Sequence, residues 1–297
     1  LGTAMVLRVI AGGMDMVTLA VLLGLLERGD PDRSGHRFGP ASMAIMVGLA
    51  VGFGFGGMLA KELGGQIFLV GAAFSVLLAV AAGGTGGLLK GEATQRKPRT
   101  RSVRYWPALA FGFADRAIGA IVAVPVTLFL ITDADIGEQI VGYAMAGALL
   151  IIAMGSWPAG ILIDRIGPLP IRIGAVFGYA LGFAAIAAAP WVPLWIVLVC
   201  LGVMAMFGAG LSPSMYVLAA RRSGGSVDMG GVQAAGAAGY LTGAVMGGLV
   251  LAWRESSGVA GGFQILLLGG ATMYLLINLP AIAAMAGWRV RGRLSGT

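Results

Sequence analysis

The chain has 297 residues, 58% of them hydrophobic and 11% charged, with a mean hydropathy of +0.90. A soluble domain carries roughly 25% charged residues, so there is too little polar surface here to cover a water-soluble globule. The net charge of +7 is confined to particular loops, and that distribution argues against the nucleic-acid binding that a basic chain otherwise invites.

Nine apolar runs follow one another, at about 2–26, 40–60, 64–84, 105–131, 139–162, 169–189, 191–219, 229–252 and 262–287. Each is near or above the ~20 residues a helix needs to cross a bilayer. The expected fold is an all-α polytopic membrane protein with nine transmembrane helices. Gly occurs 51 times, which suits helices packed closely in lipid through small residues. The single Cys200 cannot form an internal disulfide. The chain opens on Leu1, almost inside its first span, without the basic flank or cleavage site of a signal peptide. The expectation is a partial reading frame.

The connections alternate in charge. The first carries Arg28, Arg33 and Arg37, and the second only Lys61. The third carries Lys90, Arg96, Lys97, Arg99, Arg101 and Arg104. The fourth, TDADIGE, is acidic. The fifth carries Arg165 and Arg172, the sixth no charge, the seventh Arg221 and Arg222, and the eighth Arg254. Odd connections and the tail (Arg289, Arg291, Arg293) hold 16 of the 20 Lys and Arg. Basic short loops stay cytoplasmic, so the C-terminus is expected inside a plasma (inner) membrane. The third loop reads as a solvated linker that also suits anionic headgroups.

Four ionisable groups fall inside spans: Arg8, Asp15, Asp115 and Arg116. Each is costly there and normally faces a partner or a water-filled cavity. Arg8 and Asp15 are seven residues apart, on one helix face with ~10 Å of rise between them. Asp115 and Arg116 are adjacent and point about 100° apart. One is expected to line a cavity and the other to meet a neighbouring helix. A carboxyl in such a cavity is a candidate for carrying a coupling proton; the alternatives are a structural intramembrane pair and, for Arg116, snorkelling to the surface. Gln233 is a candidate for binding solute or for an interhelical hydrogen bond.

Gly48–Gly57 reads GLAVGFGFGG and Gly239–Gly248 reads GYLTGAVMGG. Both are GxxxGxxxGG, and each follows a Gly-bearing span that runs into an Arg-bearing loop. Gly48, Gly52 and Gly56 (with Gly57) share a helix face, as do Gly239, Gly243 and Gly247 (with Gly248). The two readings of such a face are a hinge between halves and static packing. Duplicated helical sets are how many secondary transporters are built. On that basis residues 1–86 form a partial half of three helices, 87–104 a basic linker, 105–288 a complete six-helix half, and 289–297 a tail.

These features resemble the major facilitator superfamily. The stretch PAGILIDRIGPLPIR (158–172) is similar to the family's G-x-x-x-D-R-x-G signature, through Gly160, Asp164, Arg165 and Gly167, with Arg172 further on. Pro168 and Leu169 stand where the family has a basic pair. Arg8 with Gly12 and Gly13 resembles the fourth-helix R-x-x-x-G motif. Gly48–Gly57 resembles the fifth-helix motif of proton-linked efflux members, with Phe53 in place of its Pro. Asp115 followed by Pro125 is similar to an Asp-to-Pro spacing found near the start of a half in several efflux members. The resemblance implies that the nine helices correspond to helices 4–12 of a twelve-helix fold. It also implies that Asp164 and Arg165 pair across to the other half as a cytoplasmic latch.

The implied function is secondary active transport of a small solute by alternating access: proton-linked efflux of an amphipathic or drug-like compound. An uptake symporter and a non-transporting scaffold or sensor are the alternatives. His36 is the only His and no Cys/His cluster, phosphate loop or nucleophile–base pair can be read. No enzyme activity, cofactor or metal is expected. The expected partners are the solute, H+ where transport is coupled to it, and lipid, with the protein a monomer.

Overall fold

The computed structural model describes residues 18–26, 33–63, 105–132, 137–188, 191–222, 226–257 and 262–294, with isolated positions between 69 and 80. Among the described residues there is no strand. Residues 18–26 are helical from the first described position. The named helices are α1 (Ser34–Leu63), α2 (Trp106–Ile121), α3 (Thr127–Thr132), α4 (Glu138–Ile166), α5 (Pro168–Ile186), α6 (Leu194–Gly208), α7 (Leu211–Arg222), α8 (Ser226–Ser257) and α9 (Gly262–Leu294). A π-helical turn, Val122–Val126, joins α2 to α3. It holds Pro125, which has no N–H to donate and whose ring crowds the preceding turn.

Seven segments are long and apolar enough to cross a membrane: Ser34–Gly56, Trp106–Val126, Glu138–Ile166, Pro168–Ile186, Leu194–Arg221, Met229–Ser256 and Gly262–Gly287. They coincide with seven of the nine expected spans. Most of the expected spans 2–26 and 64–84, with Arg8 and Asp15, lies outside the described residues, as does the linker before Tyr105. The outer surface is apolar. Met154, Leu181, Met206, Leu241 and Leu276 are each at least 66% exposed, an arrangement stable only where lipid replaces water. Trp191 and Trp195, at the start of α6, are also strongly exposed, as suits side chains at a membrane–water boundary. The chain is a multi-pass membrane protein.

The helices outrun their apolar windows. His36 and Arg37 stand in the first turn of α1 rather than in a loop, Arg254 lies within α8, and α9 continues through Arg289, Arg291 and Arg293. Hydropathy stops at the first charges, whereas the helical backbone continues through them. Pro168 and Pro170 open α5. Proline's missing N–H costs nothing in a first turn, and its fixed φ suits the position. The stop comes from Gly167, whose φ of 94° is readily open only to a residue without Cβ. One residue thus reverses the chain between α4 and α5.

α2 is the central element. It packs on α8, α9 and α7, while α1 lies along α4. The α1–α4 crossing is made by small residues four apart on each helix: Gly35 and Gly39 against Ser156 and Gly160. A Cβ on Gly35 would strike the Gly160 carbonyl, and one on Gly160 would strike the Gly35 carbonyl. Short connections make successive spans antiparallel. The starts of α1, α2, α5 and α8 therefore share one end of the bundle with the ends of α4, α7 and α9.

A buried ion pair, a cavity and an interhelical cap

Arg172 was assigned to the fifth connection and grouped with the signature of that loop. It is instead in the second turn of α5 and fully buried. Four helices meet around it. One guanidinium nitrogen donates to Asp115 Oδ2 at 2.7 Å and to the Leu211 carbonyl at 3.2 Å. The other donates to Asp115 Oδ1 at 2.7 Å and to Asn278 Oδ1 at 2.6 Å. The Tyr274 hydroxyl donates to Asp115 Oδ1 at 2.9 Å. The guanidinium carbon sits 4.3 Å from the centroid of the Phe111 ring. Of the five N–H donors, Nε alone has no acceptor. This is a bidentate, charge-assisted pair with its remaining valences largely met, the condition under which a buried pair is tolerated at all. Asp115 is therefore held in an intramembrane pair.

The pair also serves the break between α6 and α7. Pro213 has no N–H for the Ala209 carbonyl, and the Ser156 hydroxyl lies 3.4 Å from that oxygen while donating to Ile152 at 2.7 Å. Arg172 adds its bond to Leu211 just beyond the break. The irregular backbone is thus met by side chains from α4 and α5, as lipid surroundings require.

Beside this network, about midway along the helices, lies a cavity of about 220 Å³. Met46, Leu49 and Phe53 of α1 form one wall. Asp115 and Arg116 of α2, Tyr216 of α7, and Gln233, Gly236 and Tyr240 of α8 form the facing one. Positions 233, 236 and 240 are three and four apart, one stripe of α8. Adjacent residues of α2 were expected to divide between cavity and neighbour. Both in fact border the cavity, because Asp115 turns its carboxylate towards Arg172 from the rim. The Arg116 stem crosses Gly236, where a Cβ would lie 3.1 Å from Arg116 Cγ. Gln233 combines its two expected roles: Nε2 donates to the Tyr216 hydroxyl at 3.4 Å, and the side chain lines the cavity.

At the bundle end where α4 stops, Asp164 reaches across to α1. Its Oδ1 accepts from the Gly35 amide at 2.7 Å and its Oδ2 from the His36 amide at 2.8 Å. The first amides of any helix lack intrahelical partners, and the helix dipole favours an anion there. Asp164 therefore caps α1 from another helix, while Arg165 is exposed and makes no ion pair among the described residues. Asp164→Ala is expected to lower stability by about 0.5–2 kcal/mol, the usual cost of losing a cap. Asp164→Asn, which keeps one acceptor, should fall between the two, and Arg165→Gln should leave the melting temperature in detergent unchanged.

The two glycine motifs have different surroundings. Cβ atoms on Gly239 and Gly243 would strike the backbone at Phe113 and Ala117, and one on Gly247 would strike the Pro125 ring. That face is the α8–α2 interface. Among the described residues, nothing lies within 4 Å of where a Cβ would stand on Gly48, Gly52, Gly56 or Gly248.

Comparison of the chain with models of protein families, with curated proteins and with solved structures found no match in any of the three.

Around the ion pair, Tyr274, Asn278 and Tyr179, whose ring lies 5.9 Å from that of Tyr274, were not anticipated, and on the cavity wall neither were Tyr216 and Tyr240. Tyr274 and Asn278 are four residues apart in the last apolar run. A polar pair on one face of a spanning helix was the available signal.

Proposed function

We propose that the protein is a secondary active transporter of the major facilitator type, moving a small solute by alternating access. The observation that carries this is the cavity between α1 and the 105–288 unit, with ionisable groups on its wall at mid-length of the helices. A membrane scaffold has no need of costly side chains there. The Asp164 cap supports the same reading. It ties α4 to α1 through two hydrogen bonds, weak enough to open and reform each cycle, at the end where Arg33, Arg37, Arg165 and Arg221 gather. That end is then cytoplasmic by the distribution of positive charge.

For proton-linked efflux, Asp115 is occupied by Arg172 and Tyr274. We assign the coupling proton to Asp15. Reconstituted into proteoliposomes from its full reading frame, the protein is expected to exchange solute in counterflow. Asp15→Asn should abolish accumulation driven by a pH gradient while sparing counterflow. No exchange across a broad solute panel would favour a scaffold. Gradient-driven transport by Asp15→Asn would remove Asp15 from the coupling.

A further inference from the structure

We infer that the cavity recognises a small organic anion, a carboxylate on an apolar body, with Arg116 as its counter-ion. The inference rests on reading the cavity as the solute site and adds the charge of the solute. The argument is one of charge balance. Among the described residues that line the cavity, Asp115 and Arg116 are the only ones charged at neutral pH. Asp115 is fully engaged, both oxygens on Arg172 and one also on Tyr274. Its negative charge is thereby cancelled by a guanidinium that is buried and does not border the cavity. Arg116 makes no ion pair or hydrogen bond among the described residues. Among the described residues, one positive charge therefore remains on the wall.

An arginine in mid-membrane is retained where something compensates it. The planar guanidinium matches a carboxylate in two-point geometry. Around it, the Gln233 and Tyr216 pair and Tyr240 offer polar atoms for orientation, while Met46, Leu49 and Phe53 offer an apolar wall. At about 220 Å³ the cavity is smaller than the roughly 300–1,000 Å³ of drug-sized sites. A single ring or short chain bearing one carboxylate fits that description.

The test uses three probes of nearly one shape, benzoate, benzamide and benzylammonium, titrated against the full-length protein in lipid nanodiscs. Benzoate is expected to bind at least about tenfold more tightly than either other probe, a factor that one charge-assisted contact readily supplies. Arg116→Gln should bring benzoate down to the level of benzamide, and Arg116→Lys should keep part of the preference. Because the preference is read in the unaltered protein, folding of the variants does not decide the matter. Benzamide or benzylammonium binding as well as benzoate would overturn the anion assignment and leave the solute site standing. That is also the outcome if a carboxylate from beyond the described residues neutralises Arg116. Binding of none of the three would overturn both. Benzoate preference surviving in Arg116→Gln would overturn the role given to Arg116.

Discussion

Asp115→Ala is expected to destabilise the protein by about 3–5 kcal/mol, the range found when one partner of a buried pair is removed. The reason is what it leaves behind. Arg172 is fully buried, and without Asp115 its remaining acceptors are Asn278 and the Leu211 carbonyl, both neutral. An uncompensated guanidinium is then trapped between α2, α5, α7 and α9. Removing both charges should cost less than removing one, since buried pairs replaced by apolar groups are often neutral or better. The double variant Asp115→Ala with Arg172→Met is therefore expected to melt above Asp115→Ala alone. Arg116→Ala, its neighbour in sequence, should melt close to the unaltered protein, because Arg116 has no partner among the described residues to lose. Thermal unfolding in detergent measures all of these. Equal losses at 115 and 116 would mean that the pair contributes nothing special.

That contrast marks how far the sequence could be read. Hydropathy located the seven spans that the structure describes, because burial in lipid needs only length and apolarity. It could equally mark Asp115 and Arg116 as costly, since charge inside a span is visible in one dimension. It could not say which of them is paired. The partner, Arg172, is 57 residues away in the chain. It stands four residues past Pro168, close enough to the loop to be counted with its charges. Whether a side chain near a helix end snorkels outwards or folds into the bundle is decided by what it meets, here Asp115 and Phe111 across the interhelical space. Asp164 was legible as a contact between helices, but its acceptor role was not. Backbone amides at a helix start have no letter in the sequence, and Gly35 and His36 were read as loop.

The glycine motifs make the same point with an opposite result, and they yield the second large effect. Gly243→Leu is expected to lower stability by about 3 kcal/mol or more, at or beyond the upper end of the usual cost of overpacking. A side chain there collides with the backbone at Ala117 rather than with a flexible group, so α8 must move off α2. Gln233 and Tyr240 ride on α8 and Arg116 on α2, so the same shift should weaken the benzoate binding proposed for the cavity. Gly52→Leu occupies the equivalent place in an identical spacing, yet nothing lies within 4 Å of it among the described residues. A leucine added to an open helix surface changes stability by no more than about 0.5 kcal/mol. Side-by-side melting of the two variants separates motif from neighbour. If Gly52→Leu proves as damaging as Gly243→Leu, a further helix covers that face of α1 as α2 covers α8, and the two glycine motifs share their packing as well as their spacing.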